Sequence, residues 1–170
     1  MKMKRMGALL TAALLALGTL ISAAGAEEDT VTYRGLTVSR DTEYVDLGER
    51  GIMDWEPFYA FLDQLPNLKK VDMYNTVINL KVFNRLSQQF PDVRFGVQLR
   101  YGKRRLRTDD TAFSTLYSAG DRIHSYDEIA MLSWCENLYA LDIGHHPVKK
   151  LDFLYELPEL RVLIVALCDL

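Results

Sequence analysis

Apolar residues recur along this chain in two spacings, and each predicts a different element. Alternation with period 2 marks strands. It is shortest in the triplets Val45-Asp46-Leu47, Val71-Asp72-Met73, Leu141-Asp142-Ile143 and Leu163-Ile164-Val165. It is longest in Val93, Phe95, Val97 and Leu99, which predicts an extended strand. Val31 to Val38, with Gly35 between, predicts a hairpin or an N-terminal cap strand. Helical spacing appears at Trp55, Phe58, Leu62 and Leu65, and again at Phe83, Leu86 and Phe90. Ser125-Tyr126-Asp127-Glu128 has the S-x-x-E form of a capping box ahead of Ile129 and Leu132. Pro66, Pro91 and Pro158 end each helical segment, because the residue before a proline is pushed out of the α region.

These elements repeat. The tetrapeptides Leu65-Pro66-Asn67-Leu68, Phe90-Pro91-Asp92-Val93 and Leu157-Pro158-Glu159-Leu160 are variants of one unit, with Cys135-Glu136-Asn137-Leu138 as a version lacking proline. The triplets at Val45 and Val71 lie 26 residues apart, and those at Leu141 and Leu163 lie 22 apart. From Leu138 to Leu170 the apolar set Leu138, Leu141, Ile143, Val148 restarts at Leu160, Leu163, Val165, with Cys168 at the N/C position. This pattern resembles the leucine-rich repeat family, and its spacing is similar to the short repeats of about 22 residues in secreted proteins of Gram-positive bacteria. Upstream units are longer and degenerate, with Thr76 and His146 at the N/C position.

The resemblance implies an α/β leucine-rich repeat solenoid of about five irregular coils, with parallel strands on the concave face and short helices on the convex face. The implied organisation is a cap strand or hairpin over 27–41, degenerate repeats over 42–98, a basic insertion loop over 99–112, and repeats over 113–170 with the last one incomplete. Such a chain is expected to be the N-terminal portion of a longer protein. The last strand, 163–167, replaces Asp by Ile, and its apolar edge invites edge-to-edge self-association.

Composition divides the chain again. Of the first 26 residues 17 are apolar and none is acidic. Lys2, Lys4 and Arg5 precede the uncharged stretch Ala8 to Ile21, followed by the small residues Ala24-Gly25-Ala26. A positive n-region, a short apolar h-region and an A-x-A site predict a signal peptide over 1–26 and a secreted, extracellular or cell-surface protein. The apolar stretch is 14 residues, short of the ~20 needed to span a bilayer, and no second long apolar run follows. Without the leader the 20 basic residues fall to 17 against 23 acidic ones, so the net charge moves from −3 to −6. A mildly acidic chain is a poor default nucleic-acid binder.

The middle residue of each triplet faces away from the core, since alternate strand residues point to opposite sides. Asp46, Asp72, Asp142 and Ile164 occupy that position, and Tyr44, Lys70 and Tyr74 flank it. Asp46 and Asp72 fall on neighbouring strands, where like charges repel unless a cation or cationic partner offsets them. The run Arg100-Tyr101-Gly102-Lys103-Arg104-Arg105-Leu106-Arg107 is either an anion-contact loop or a solvated loop balanced by Asp109 and Asp110. His145 and His146 lack H-x-x-H spacing, and no Gly-rich phosphate loop, G-x-S-x-G or C-x-x-C pattern occurs. Cys135 and Cys168 fall on different sides of a repeat and are expected as free thiols.

The sequence therefore points to a non-catalytic extracellular scaffold that needs no metal or cofactor. Its expected partner is a protein or an envelope polymer met by the strand face. The alternative is a structural cap or spacer with no ligand of its own.

Overall fold

The computed structural model describes residues 29–115 and 125–170. The expected signal peptide, 1–26, lies outside them. Among the described residues nine strands form three sheets, joined by three α-helices and two 3-10 turns. Strands β1 (Thr30–Tyr33) and β2 (Leu36–Ser39) make an antiparallel hairpin turning at Arg34 and Gly35, both in the left-handed region. Val31 and Tyr33 point inward from it, and the Tyr33 ring meets Phe58 and Phe61 at 5.3 Å.

The second sheet has the order β3-β4-β5-β6. Strand β3 (Tyr44–Asp46) pairs parallel with β4 (Lys70–Ile78), aligning Val45 with Val71 and Asp46 with Asp72. Strand β4 pairs parallel with β5 (Arg94–Tyr101), aligning Val71 with Phe95 and Asp72 with Gly96. Two amphipathic helices cover it. Helix α1 (Trp55–Leu62) starts at Asp54, whose carboxylate accepts the Glu56 N–H, and buries Phe58, Tyr59, Phe61 and Leu62. Helix α2 (Leu80–Gln89) starts at Asn79, whose side chain accepts the Val82 N–H, and buries Phe83 and Leu86. Such caps satisfy orphan N–H groups that each helix start leaves open.

The third sheet has the order β7-β8-β9, all parallel, from β7 (Ala112–Ser114), β8 (Ala140–Asp142) and β9 (Val162–Ile164). Its covering layer is thinner. Helix α3 (Tyr126–Ala130) is capped by the Ser125 hydroxyl, which accepts the Glu128 N–H, and runs into a 3-10 turn at Met131–Trp134. A second 3-10 turn, Asp152–Glu156, precedes β9. The buried apolar side chains of all three sheets form one continuous core.

The five-coil solenoid with one concave parallel sheet is not formed; the molecule is a mixed α/β fold with three small sheets. The reason lies in residues 94–107. Strand β5 runs on past the triplet length and folds back through Gly102, at φ 58°, into the antiparallel strand β6 (Arg104–Arg107). The segment expected as a basic insertion loop, 99–112, is thus largely a β-hairpin. Strand β6 takes the edge of β5 from Gln98 to Tyr101. The Thr108 hydroxyl takes what remains: it accepts the Val97 N–H at 3.1 Å and donates to the Phe95 carbonyl at 3.2 Å, while the Thr108 N–H donates to the Val97 carbonyl at 3.0 Å. With those groups satisfied, β7 has no ladder to join and starts a separate sheet.

Candidate functional site

The strand face of the second sheet brings together Tyr44, Asp46, Lys70, Asp72 and Tyr74. Asp46 and Asp72 are register partners. The charge between them is met from within the chain. The Asp72 Oδ2 accepts the Tyr44 hydroxyl at 2.8 Å and the Lys70 ammonium at 3.1 Å, and that ammonium also lies 5.5 Å from the Tyr44 ring centre. The hydrogen bond to Asp72 holds the neutral form of Tyr44 and pushes its pKa up to about 12. The other oxygen, Asp72 Oδ1, is buried and has no hydrogen-bond partner.

Glycine at position 96 makes this packing possible. A Cβ there would lie 2.4 Å from Asp72 Oδ1 and 2.6 Å from Tyr74 Cζ, so only a bare backbone lets both side chains lie across β5. Tyr74 is held from above by the Arg107 guanidinium, 4.0 Å from its ring centre, a cation–π contact. Arg107 is held in turn by a bidentate pair with Asp109, both contacts at 2.8 Å. That pair keeps the Asp109 carboxyl below its ordinary range, and burial pushes the Tyr74 phenol up.

The other acidic positions serve local structure. Asp46 Oδ1 accepts the Gly48 N–H at 2.8 Å, and Asp142 Oδ1 accepts the Gly144 N–H at 3.1 Å. Each is an Asx turn that ends a strand at an Asp-x-Gly sequence. Asp142 Oδ2 also accepts the Ser114 hydroxyl at 3.0 Å. Asp142 and Ile164 are register partners on the third sheet, so no ladder joins them to the Tyr44 group. Ile164 is 47% exposed on the edge strand.

The basic run is split between the two sides of a hairpin, because alternate residues face opposite ways. Arg100 and Arg105 are exposed and stand opposite each other as cross-strand partners. Lys103 is exposed in the turn. Arg104 turns to the other side and donates to the Ser114 carbonyl at 3.0 Å. Arg107 is committed to Tyr74 and Asp109. Of the five expected contact residues, Arg100, Arg105 and Arg107 therefore share one side of the hairpin, with Lys103 at its turn, and Arg104 is set apart.

Beside the strand face, where the ladder breaks between β5 and β7, a cleft of about 600 Å³ opens. Lys70 and Tyr74 lie on its floor with Arg94, Phe95 and Gly96. The facing wall comes from Trp134, Glu136 and Asn137, just before β8. Arg94 reaches across to Glu136 at 3.0 Å. Strand alternation alone did not mark Arg94, Gly96, Thr108, Asp109 or Trp134. The signals that bear on them were the glycine inside an apolar strand and the antiparallel return after Gly102.

Both cysteines are free; Cys135 is buried, which pushes its thiol pKa up, and the Cys168 thiol donates to the Ile143 carbonyl at 3.3 Å. Among the described residues no group of three or more His, Cys, Asp or Glu is placed to hold a metal, and no helix is long and apolar enough to cross a membrane. No protein-family model matches the chain, and neither a curated protein nor a solved structure does.

Proposed function

We propose that this chain is a non-catalytic, extracellular binding module that meets a protein or an envelope polymer through the face of β3, β4 and β5. The observation that carries the proposal is the locked Tyr44–Asp72–Lys70 group beside an open cleft. Tyr44 and Lys70 are held by Asp72 and by each other, and Tyr74 by Arg107, so little side-chain entropy is lost on binding. Tyrosine suits such a surface, since it offers apolar area with a polar tip. The leader-like first 26 residues support the extracellular setting. The test is capture of isolated cell-wall polymer or secreted protein by the immobilised chain. Tyr44→Ala with Lys70→Glu should abolish capture, while Arg161→Glu, just before β9, should leave it unchanged; equal capture by all three overturns the reading.

A second reading, a spacer with no ligand, is favoured by the turn roles of Asp46 and Asp142 and by the internal pairing of Arg107 with Asp109. It forecasts no saturable capture at all. Self-association along 163–167 belongs to the same reading. Val162 and Ile164 are 44% and 47% exposed on β9, the edge of its sheet. Concentration-dependent sedimentation that Ile164→Lys abolishes supports it, and a monomer at all concentrations overturns it.

A further inference from the structure

We propose that the cleft between β5 and the Trp134–Asn137 turn binds an uncharged oligosaccharide. The inference rests on the strand-face binding reading and names the ligand chemistry of its deepest part. Its volume of about 600 Å³ lies within the range of small-molecule sites, and it has room for a disaccharide unit.

The wall chemistry selects the class. Lys70, Arg94 and Asn137 supply donors, and Asp109, Glu136 and Glu156 supply acceptors. Four of these five charges are matched nearby: Arg94 pairs with Glu136, Asp109 with Arg107, and Lys70 with Asp72. A polyanion would meet three carboxylates at the wall, and a polycation would meet Lys70 and Arg94. A neutral ligand rich in hydroxyls, each both donor and acceptor, matches every one of these groups.

The apolar side of the cleft fits the same class. Trp134 is half-buried, stacked on Phe95 with ring centres 5.3 Å apart and an interplanar angle of 26°. Phe83 braces it from another side at 4.5 Å. The part of Trp134 that these rings leave exposed lines the cleft and offers apolar surface to a sugar ring whose hydroxyls reach the polar groups. A peptide is the less suitable occupant. Adding a strand at a sheet edge needs free backbone groups, and the Thr108 backbone and hydroxyl already occupy the Val97 N–H and the Phe95 and Val97 carbonyls. The exposed Arg94–Glu136 pair spans the cleft and is no barrier, since surface ion pairs are worth about 0–1 kcal/mol.

The chain has two tryptophans, so Trp55→Phe leaves Trp134 as the only indole reporter. The Trp55→Phe chain is titrated with N-acetylglucosamine tetrasaccharide and maltotetraose as neutral probes, a heparin tetrasaccharide as the anionic probe, and tetra-alanine as the peptide. Calorimetry on the unaltered chain checks each result. A neutral probe should give a saturable fluorescence change that Asn137→Ala and Glu136→Ala, both at exposed positions, each weaken about tenfold, the loss of one good hydrogen bond. Saturation by the anionic probe or the peptide alone, no saturation by any probe, or neutral binding indifferent to both substitutions overturns the proposal. Capture that depends on Tyr44 and Lys70 without oligosaccharide binding leaves the broader reading standing. Loss of both removes both.

Discussion

The sheet β3–β6 and the sheet β7–β9 are built from the same strand triplets, and they differ in what covers them. Between β3 and β4 the triplets are 26 residues apart, which leaves room for the eight-residue helix α1. Between β8 and β9 they are 22 apart, and the connection forms only a 3-10 turn of five residues. The consequence is visible in the core. Val45, Val71 and Phe95 are at most 4% exposed, whereas Leu163, their counterpart on β9, is only half-buried. Leu141 on β8 is only 1% exposed, so the shallow part of that sheet is its edge strand β9, behind the 3-10 turn. The sheet β3–β6 carries the Tyr44–Asp72–Lys70 group, and each of the two sheets carries one Asx turn, at Asp46 and at Asp142.

The largest test of this difference is in the cores themselves. Phe58→Ala, fully buried among Tyr33, Trp55 and Phe61, should cost about 3–5 kcal/mol in denaturant unfolding. Leu163→Ala should cost about 1–2 kcal/mol, because much of that side chain already meets water. Equal losses would break the comparison.

Next come the two threonines at sheet edges. Thr108→Val leaves the Val97 N–H and the Phe95 carbonyl unpaired in the interior and should cost about 1–3 kcal/mol. Thr115→Val should cost about 0.5–1 kcal/mol, since the Asp142 carbonyl it serves also accepts the Thr115 N–H at 2.9 Å. Amide exchange at Val97 should rise in the first variant and not in the second.

Gly96→Ala should cost about 1 kcal/mol, the low end of overpacking, because the atoms its methyl meets are side-chain ends that can swing aside. Its effect on capture should exceed its effect on stability, since Asp72 and Tyr74 must leave their places. The smallest effect is one of pH. Tyr44 has its folded pKa raised, so the stability it contributes is full below the ordinary value of 10.0 and fades as pH rises from there to about 12. Absorbance titration should find a tyrosinate near 12 that Tyr44→Phe removes and Asp72→Asn moves back toward 10.0.

Alternation and repeat spacing carried much of the local structure. The Val45–Val71 and Leu141–Leu163 alignments follow from the triplets alone, because inward apolar residues must stack in register. Helices α1, α2 and α3 follow from their apolar spacing and from the Ser125 cap. What spacing could not carry was the break between the sheets. Ala112-Phe113-Ser114 is a triplet with one large apolar residue, so its pairing with Leu141 is invisible to a search for alternation. The return of the chain at Gly102 looked like an insertion because charged residues dominate it, although Leu99, Tyr101 and Leu106 are buried. For the candidate site, Tyr44, Lys70, Asp72 and Tyr74 were legible by side and position. Asp46 and Asp142 were misleading, and the Asp-x-Gly sequence at each is the sign of a turn. Trp134 and Asn137 come from a turn far away in the chain, and no local pattern links them to β5.

The hydroxyl of Thr108 has a mechanical consequence. A backbone ladder is a row of bonds that resists shear all at once, and none runs from β5 to β7. The two sheets are coupled instead by their shared apolar core, including the Tyr101–Phe113 and Phe83–Trp134–Phe95 rings, and by the Arg94–Glu136 pair and the Arg104–Ser114 bond. Apolar contacts and single polar bonds yield one by one. Under tension the expected outcome is that the seam between β5 and β7 parts before either sheet loses a strand, as a mechanical fuse would.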